Sequence, residues 1–206
     1  MPSPSPTPPR TGAEGAEGAV TLHGRRFAPL LSAGDIAARI GELGGELARL
    51  LAAEAPPAGA AAAAPILLGV LNGAAIFHAD LARAYASSCE LAYLRASSYA
   101  GTASTGEVRI AWPEGLDVSG RAVVVVEDIA DSGLTLATLR DTLLGRGAAR
   151  VVSAVLLDKP AGRTVDFAPD LTGFVIPDRF VVGFGLDYDG LGRNLRGVYA
   201  LAEADA

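Results

Sequence analysis

The sequence predicts an α/β fold with a mostly parallel central sheet flanked by helices. Short apolar runs alternate with segments of helical periodicity, and residues 122–126 and 151–157 are almost uniformly apolar. Such runs are typical of strands covered on both faces, and strands that alternate with helices favour parallel pairing through right-handed crossovers. Ligands bind such sheets beyond the carboxyl ends of the strands, so a site is expected in the loops after Leu71, Val126 and Leu157.

Composition limits the classes of function that the chain can have. Its 206 residues, half of them hydrophobic, suffice for one α/β domain with a buried core. The formal charge of −6 argues against a broad nucleic-acid surface, but it leaves room for a local phosphate site. Cys89 is the only cysteine, so a reducing compartment, the cytoplasm, is expected. His23 and His78 lack metal-ligand spacing, and no apolar run is long enough to cross a bilayer.

Residues 1–19 are predicted to be a disordered extension. They are rich first in Pro, Ser and Thr and then in Gly, Ala and Glu, without the basic-then-apolar order of a signal peptide. Residues 20–206 are predicted to form a single domain.

The first ordered element is expected to be a helix. Ser32 and Asp35 resemble a capping box, and apolar residues recur at helical spacing from Ile36 to Leu51. An alanine-rich connection at residues 52–65 follows. The later elements are predicted to be a strand at 66–71, a turn at Asn72-Gly73, a helix to about Tyr85, a strand at 91–94, a strand at 122–126, a helix at 135–144, a strand at 151–157, and short strands at 174–176 and 180–182.

The strongest functional signal is the acidic segment that follows the valine run. The strand delivers Glu127 and Asp128, and Asp131 follows in a turn of small residues that opens a helix. Two carboxylates at a strand end can accept hydrogen bonds from a vicinal diol. The turn at residues 131–135 can direct several backbone N–H groups at one phosphate, with help from the helix N-terminus. A diol and a phosphate together describe a ribose 5-phosphate.

Two other interpretations of this segment remain open from the residues themselves. Asp131 or Ser132 could be an ordinary helix N-cap, where the helix dipole favours an acid, although this leaves the two preceding acids unexplained. The acids could also form a phosphoacceptor or metal pocket of the kind found in receiver domains.

The segment strongly resembles the phosphoribosyl pyrophosphate motif of type I phosphoribosyltransferases, and in detail that of the hypoxanthine-guanine branch. The resemblance extends from about residue 30 to residue 199 and implies the fold of that family, with a small hood subdomain beside the central sheet. It implies that Glu127 and Asp128 contact the ribose hydroxyls and that Asp131 is the general-base candidate near purine N7. It also implies that the 5-phosphate is bound by residues 131–135, namely Asp131, Ser132, Gly133, Leu134 and Thr135.

Two further segments resemble loops of the same branch. The residues Leu71, Asn72 and Gly73 match its pyrophosphate loop, although Asn-Gly after a strand is also a plain turn signal. In this family the peptide bond before the position of Asn72 can be cis. Some members carry Lys at that position, so a backbone role is expected here. Residues 97–106 match a mobile lid, which includes Ser98 and Tyr99 and would exclude water from the reacting centre.

The C-terminal third of the chain completes the resemblance. It implies that Lys159 donates to the purine O6, that Phe180 stacks on the base and that Val181 presents its backbone to the ring edge. Asp187 would lie in the purine site and bind Mg²⁺ together with Glu127 and Asp128, and Arg193 would reach the pyrophosphate.

The implied activity is purine salvage, in which phosphoribosyl pyrophosphate and hypoxanthine or guanine give IMP or GMP and pyrophosphate, with Mg²⁺ as cofactor. A charged Lys159 is only a donor, which suits a 6-oxo group and opposes the 6-amino group of adenine. The residues leave hypoxanthine and guanine equally open. A homodimer or homotetramer is expected, with no nucleic-acid or membrane partner. The alternatives are an RNA-binding, nucleotide-sensing relative and a catalytically silent oligomerisation domain.

Overall fold

The computed structural model describes residues 18–53, 63–98 and 108–202. Most of the predicted extension and of the alanine-rich connection, and Tyr99 of the predicted lid, therefore lie outside the described residues. The elements are β1 (Val20–Leu22), β2 (Arg25–Leu31), α1 (Ala33–Ala52), β3 (Ile66–Leu71), α2 (Ala75–Ala84), β4 (Glu90–Ser98), β5 (Val108–Ala111), β6 (Ala122–Ala130), α3 (Leu134–Gly145), β7 (Arg150–Asp158), a short 3₁₀ helix (Pro160–Gly162), β8 (Leu171–Val175), β9 (Val181–Val182) and β10 (Val198–Leu201).

The predicted fold class is confirmed. A six-stranded sheet runs in the order β5-β4-β3-β6-β7-β8, and only the β4–β5 pair in it is antiparallel. A second, antiparallel sheet in the order β1-β2-β10-β9 stands where the resemblance implies a hood subdomain.

Alternate side chains of the central strands pack against helices on opposite faces. Val124 and Val126 of β6 share a core with α1 and α2, whereas Val123 and Val125 share one with α3. Because both faces are covered, every residue from 123 to 126 is buried, which explains the uniform valine run.

Helix α1 begins as the sequence predicts and protects one edge of the sheet. The Ser32 hydroxyl accepts from the Asp35 N–H at 3.1 Å and donates to the Asp35 carboxylate at 2.7 Å, so the predicted cap is confirmed. Further along the helix, Arg39 donates to the Thr172 and Gly173 carbonyls of the edge strand β8 at 2.8 and 3.1 Å. These bonds occupy carbonyls that an unprotected edge would offer to another chain.

The expectation that the first ordered element is a helix is wrong, because the hairpin β1–β2 precedes α1. Its two-residue turn has positive φ at both His23 (47°) and Gly24 (79°), as a right-twisted hairpin requires. Strand β2 then pairs with β10 near the other end of the chain. A partner so distant in sequence leaves no local signal.

Several strands extend beyond their predicted limits. Strand β6 continues through Glu127 and Asp128 to Ala130, so these acids lie within the strand and not in the loop after it. The reason is that parallel pairing with β7 continues as far as Ala130 opposite Asp158. Strand β4 is longer than predicted because β5, which was not predicted, pairs with its second half. Phe180 precedes β9 and is not part of it.

A buried histidine connects α2 to the central sheet. His78 is fully buried, its Nε2 lies 2.9 Å from the Leu67 carbonyl oxygen, and its Nδ1 lies 3.0 Å from the Tyr93 hydroxyl. A carbonyl can only accept, so Nε2 carries the proton and Nδ1 accepts from Tyr93. Burial lowers the pKa of His78 below its ordinary 6.5.

We expect His78→Leu to change how stability depends on pH. The unfolded chain takes up a proton near pH 6.5 and the folded chain does so only at lower pH, so the stability contributed by neutral His78 is present above pH 6.5 and is lost as the pH falls below it. The variant should be about 1 kcal/mol less stable at pH 7.5, and this deficit should shrink towards pH 5. Urea unfolding across this range measures it, with the exposed-site variant His23→Leu as control. A deficit independent of pH would contradict this account.

Candidate active site

Two half-buried carboxylates at the end of β6 form the centre of the candidate site. Burial, and then the neighbouring Asp128, raises the pKa of Glu127 from its ordinary 4.5 to about 8. Burial raises the pKa of Asp128 to about 6, although the Ile129 N–H, 2.9 Å from its carboxylate, and the charge of Arg193 act in the opposite direction. Carboxylates in this environment favour a ligand that supplies hydrogen-bond donors or positive charge.

The predicted pyrophosphate loop packs directly on this acidic pair. The Leu71–Asn72 peptide bond is cis, and a Cβ on Gly73 would overlap with the carboxylate of Asp128. A Cβ on Gly185 would in turn overlap with the Gly73 carbonyl oxygen. Glycine at positions 73 and 185 therefore lets three segments that are distant in sequence meet at one point.

Asp187 and Arg193 lie in the third of these segments and form an ion pair. Arg193 Nη2 is 2.6 Å from Asp187 Oδ1, and Arg193 Nη1 donates to the Gly185 carbonyl at 2.6 Å. The other oxygen of Asp187 accepts from the Gly190 N–H at 2.8 Å. The charges of Asp187 and Arg193 both affect the pKa of Asp128, so the structure brings these predicted residues to the acidic pair.

A cavity of about 310 Å³ lies at the N-terminus of α3. Gly133, with φ of 81°, turns the chain into the twelve-residue helix, and the Ser132 hydroxyl accepts from the Leu134 N–H at 3.3 Å. A helix N-terminus that opens into a cavity is suited to an anion. The lining residues are Glu127, Ile129, Ala130, Asp131, Ser132, Gly133, Thr135 and Leu136.

Lys159 is buried between two carboxylates. It follows β7 directly, is only 6 % exposed, and its Nζ lies 3.8 Å from both Asp131 Oδ2 and Asp178 Oδ1. The structure thus brings together two predicted residues, Asp131 and Lys159, from the ends of adjacent strands. Asp178 was not predicted to act here, although its carboxylate completes the arrangement around the ammonium group.

Phe180, two residues beyond Asp178, presents an exposed aromatic ring. It is 47 % exposed and makes an edge contact with Tyr188, whose ring centroid is 5.7 Å away. Phe27 of β2 lies behind both rings, at 6.4 Å from Phe180 and 5.9 Å from Tyr188. The next residue, Val181, is buried in β9. An exposed ring supported from behind provides a surface for a planar ligand.

Sequence reasoning missed the residues that support the phosphate turn from behind. Arg163 donates to the backbone carbonyls of Ala130 and Asp131 and to the Asp158 carboxylate. The Thr164 N–H donates to the Ser132 carbonyl at 3.0 Å. An arginine four residues beyond Lys159 follows no periodicity, because its position depends on the short 3₁₀ helix that folds the chain back over the turn.

Within the described residues, no group of three or more His, Cys, Asp or Glu side chains is arranged to hold a metal ion. The three predicted Mg²⁺ ligands, Glu127, Asp128 and Asp187, therefore do not provide a complete metal site by themselves.

No helix in the described part of the chain is long and apolar enough to cross a membrane. Of the predicted lid, Ser98 is the last residue of β4. A cavity of about 470 Å³ lined by Leu71, Arg95 and Arg109 lies nearby.

Comparisons with known proteins agree with this geometry. The phosphoribosyl transferase domain family matches residues 40–189. The hypoxanthine-guanine phosphoribosyltransferase of Aquifex aeolicus is 37 % identical over 183 residues, which cover 88 % of this chain and 98 % of that protein. The enzyme of the same name from Streptococcus pneumoniae is 46 % identical over 140 residues, which cover 68 % and 78 %.

A solved structure supports the same assignment. A hypoxanthine phosphoribosyltransferase from Staphylococcus aureus superimposes with a TM-score of 0.76 at 34 % identity, covering 85 % of this chain and 91 % of that one. The chain therefore belongs to the phosphoribosyltransferase family and, within it, to the hypoxanthine-guanine phosphoribosyltransferases.

Proposed function

We propose that the protein transfers the phosphoribosyl group of phosphoribosyl pyrophosphate to hypoxanthine or guanine, giving IMP or GMP and pyrophosphate. The observation that carries the proposal is the placement of a buried Lys159 beside Asp131, next to an anion-binding helix N-terminus and a carboxylate pair. The names of the relatives support the same reaction. The RNA-binding alternative finds no support among them.

The sugar phosphate would be bound by the end of β6 and the turn that follows. Glu127 and Asp128 would accept hydrogen bonds from the two ribose hydroxyls, which would add donors to these half-buried carboxylates. The backbone N–H groups of residues 131–135 would bind the 5-phosphate in the cavity at the start of α3. The Thr135 hydroxyl, which lines this cavity, would add a donor.

The leaving pyrophosphate would lie between the Leu71–Gly73 backbone and Arg193. Negative charge develops on this group as the bond to the anomeric carbon breaks, and fixed donors aimed at it lower the barrier. Because Arg193 is held by Asp187 and the Gly185 carbonyl, it needs little reorganisation to take this role.

Mg²⁺ fits the residues present. Buried carboxylates whose pKa values are raised are stabilised by a nearby cation, and Mg²⁺ commonly takes one or two protein carboxylates with water and substrate phosphates as its other ligands. Glu127, Asp128 and Asp187 are the residues that would supply the protein's part of its ligands, and water and substrate oxygens would supply the rest. The bound ion would neutralise charge on the departing pyrophosphate.

The base would lie on Phe180 with its ring edge against Lys159 and Asp131. Lys159 would donate to O6, and Asp131 would accept the N7 proton as the base becomes a nucleophile. The backbone of Val181 would contact the other edge. We also propose the cytoplasm as the compartment and a homodimer or homotetramer as the assembly, as the sequence predicts.

We expect pyrophosphate release with hypoxanthine, guanine or both, and poor use of adenine. The physical reason is that Lys159, a donor without a lone pair, would face the 6-amino group of adenine and leave two donors unpaired. The measurement is steady-state pyrophosphate release with phosphoribosyl pyrophosphate, Mg²⁺ and each of hypoxanthine, guanine, xanthine and adenine. Adenine turnover equal to that of hypoxanthine would refute the role of Lys159, and no release with any base would refute the proposed function.

We expect Asp131→Asn to lower kcat by about 10²–10⁴-fold without loss of folding, because the amide cannot accept the N7 proton as a base. Its side chain is 55 % exposed, so the fold should tolerate the change. Asp141→Asn, at an exposed position of α3, is the matched control. Steady-state kinetics beside thermal unfolding would test this, and a kcat close to that of the wild type would rule out Asp131 as the base.

We expect Glu127→Gln to stabilise the ligand-free protein while lowering transferase activity. With a pKa of about 8 in the folded state and 4.5 when unfolded, Glu127 binds more protons in the folded state across this window, so its contribution to stability falls as the pH rises from 4.5 to 8. The variant should raise Tm at pH 8 and have little effect at pH 4. Glu114→Gln, at an exposed site, is the control. An equal change in Tm at both pH values would contradict the burial argument.

A further inference from the structure

We propose that Arg163, held by Asp158, is a positioning residue that fixes Asp131 against Lys159. The inference rests on the proposed function for the roles of Asp131 and Lys159. It concerns how these two groups, on different strands, acquire a fixed separation. Neither the sequence patterns nor the resemblance assigned a role to Arg163 or Asp158.

The Arg163 side chain contacts the ends of both β6 and β7. Nη1 donates to the carbonyls of Ala130 (2.8 Å) and Asp131 and has a longer contact with that of Lys159 (3.4 Å). Nη2 donates to the Asp158 carboxylate, and Nε donates to the Phe167 carbonyl at 3.0 Å. The guanidinium group therefore binds residues at the ends of both strands at once.

The complete contact pattern requires the planar group of donors that an arginine provides, and a lysine could make only part of it. A guanidinium group has five N–H donors in one rigid plane, whereas a lysine ammonium group is a compact charge on a flexible stem. Arg163 and Asp158 are largely buried, with 15 % and 13 % of their side chains exposed, so this ion pair is shielded from solvent.

The contacts of Arg163 restrain the main chain that carries Asp131 and Lys159. Besides Arg163, the Lys159 N–H bond to the Ala130 carbonyl at 2.9 Å joins the two strand ends. The Asp131 carboxylate also packs on Gly162, where a Cβ would overlap with Oδ1. The aliphatic part of Arg163 lies against Gly133 of the phosphate turn, since a Cβ there would be 3.2 Å from Arg163 Cδ. Loss of Arg163 would thus free the main chain that carries Asp131 and leave Lys159 with a partner that moves.

The first test compares Arg163→Met, Arg163→Lys and the control Arg140→Met. Arg140 is also a cation paired with an aspartate, Asp170, at 3.0 Å, but it belongs to α3 and not to the turn that carries Asp131. We expect Arg163→Met to lower kcat per folded molecule by about 100-fold, because a displacement of about 1 Å at a reacting group has such an effect. Arg163→Lys should recover part of this loss, and Arg140→Met should behave like the wild type.

A second test separates positioning from simple structural support. Arg163→Ala leaves space for a free guanidinium group, so methylguanidinium at millimolar concentration should restore part of kcat in this variant and none in Arg140→Ala. Asp158→Asn should give a smaller loss than Arg163→Met, and the double variant should lose less than the product of the two single losses, because the residues act together.

Amide hydrogen exchange supplies a readout that is independent of turnover. Peptides covering residues 129–136 should exchange faster in Arg163→Met than in the wild type, while those of α1 remain unchanged. A kcat within about two-fold of the wild type in Arg163→Met, unchanged exchange at residues 129–136, or no rescue by lysine or methylguanidinium would overturn the inference while leaving the proposed function intact. Absence of transfer by the wild type with every base would instead overturn the proposed function.

Discussion

The parallel pairing of β6 with β7 is the constraint on which the candidate site depends. The ladder continues until Ala130 lies opposite Asp158. Asp131 and Lys159 are the next residues along each strand, so they leave the sheet at the same level and reach a separation of 3.8 Å. A shift of this register by one residue would turn every side chain of the strand to the other face and separate the two groups. Burial of the valine run on both faces specifies the register, so the hydrophobic core of the sheet also determines the geometry of the chemistry.

The carboxylate pair of the site is electrostatically unfavourable, and burial of the apolar core must offset the stability that it costs. Glu127 and Asp128 are adjacent, half-buried carboxylates, and burial raises the pKa of both, which disfavours their ionised forms in the ligand-free fold. Hydrogen-bond donors or a cation would stabilise the ionised carboxylates, and a ribose diol and Mg²⁺ would supply them. The covered strands β3 and β6, by contrast, bury nearly all of their apolar side chains, which supplies stability elsewhere in the sheet.

The sequence predicted the parts of the molecule whose signals are local. The valine run, the Ser32 cap and the strand before Asn72 are each visible in a few neighbouring residues, and the structure confirms them. Local patterns could not show the small sheet (β1-β2-β10-β9), because β2 pairs with β10 and the whole central sheet lies between these two strands in the sequence. Arg163 was missed for a similar reason. Its role depends on backbone carbonyls at the ends of β6 and β7, which only the folded chain brings together around its side chain.

Under the proposed function, the two sheets would contact different parts of the substrates. The central sheet carries the carboxylate pair, the phosphate turn and Lys159, which together would handle the sugar phosphate and the 6-oxo group. The face for the base would be Phe180, which directly precedes β9 of the small sheet and contacts Tyr188 and also Phe27, near the other end of the chain. The choice between hypoxanthine and guanine would depend on the 2-amino group, which would lie towards the backbone carbonyls near Val181 and Asp187. We therefore expect that preference to depend on the segments that carry Val181 and Asp187, whereas the pairing of β6 with β7 fixes the separation of Asp131 and Lys159.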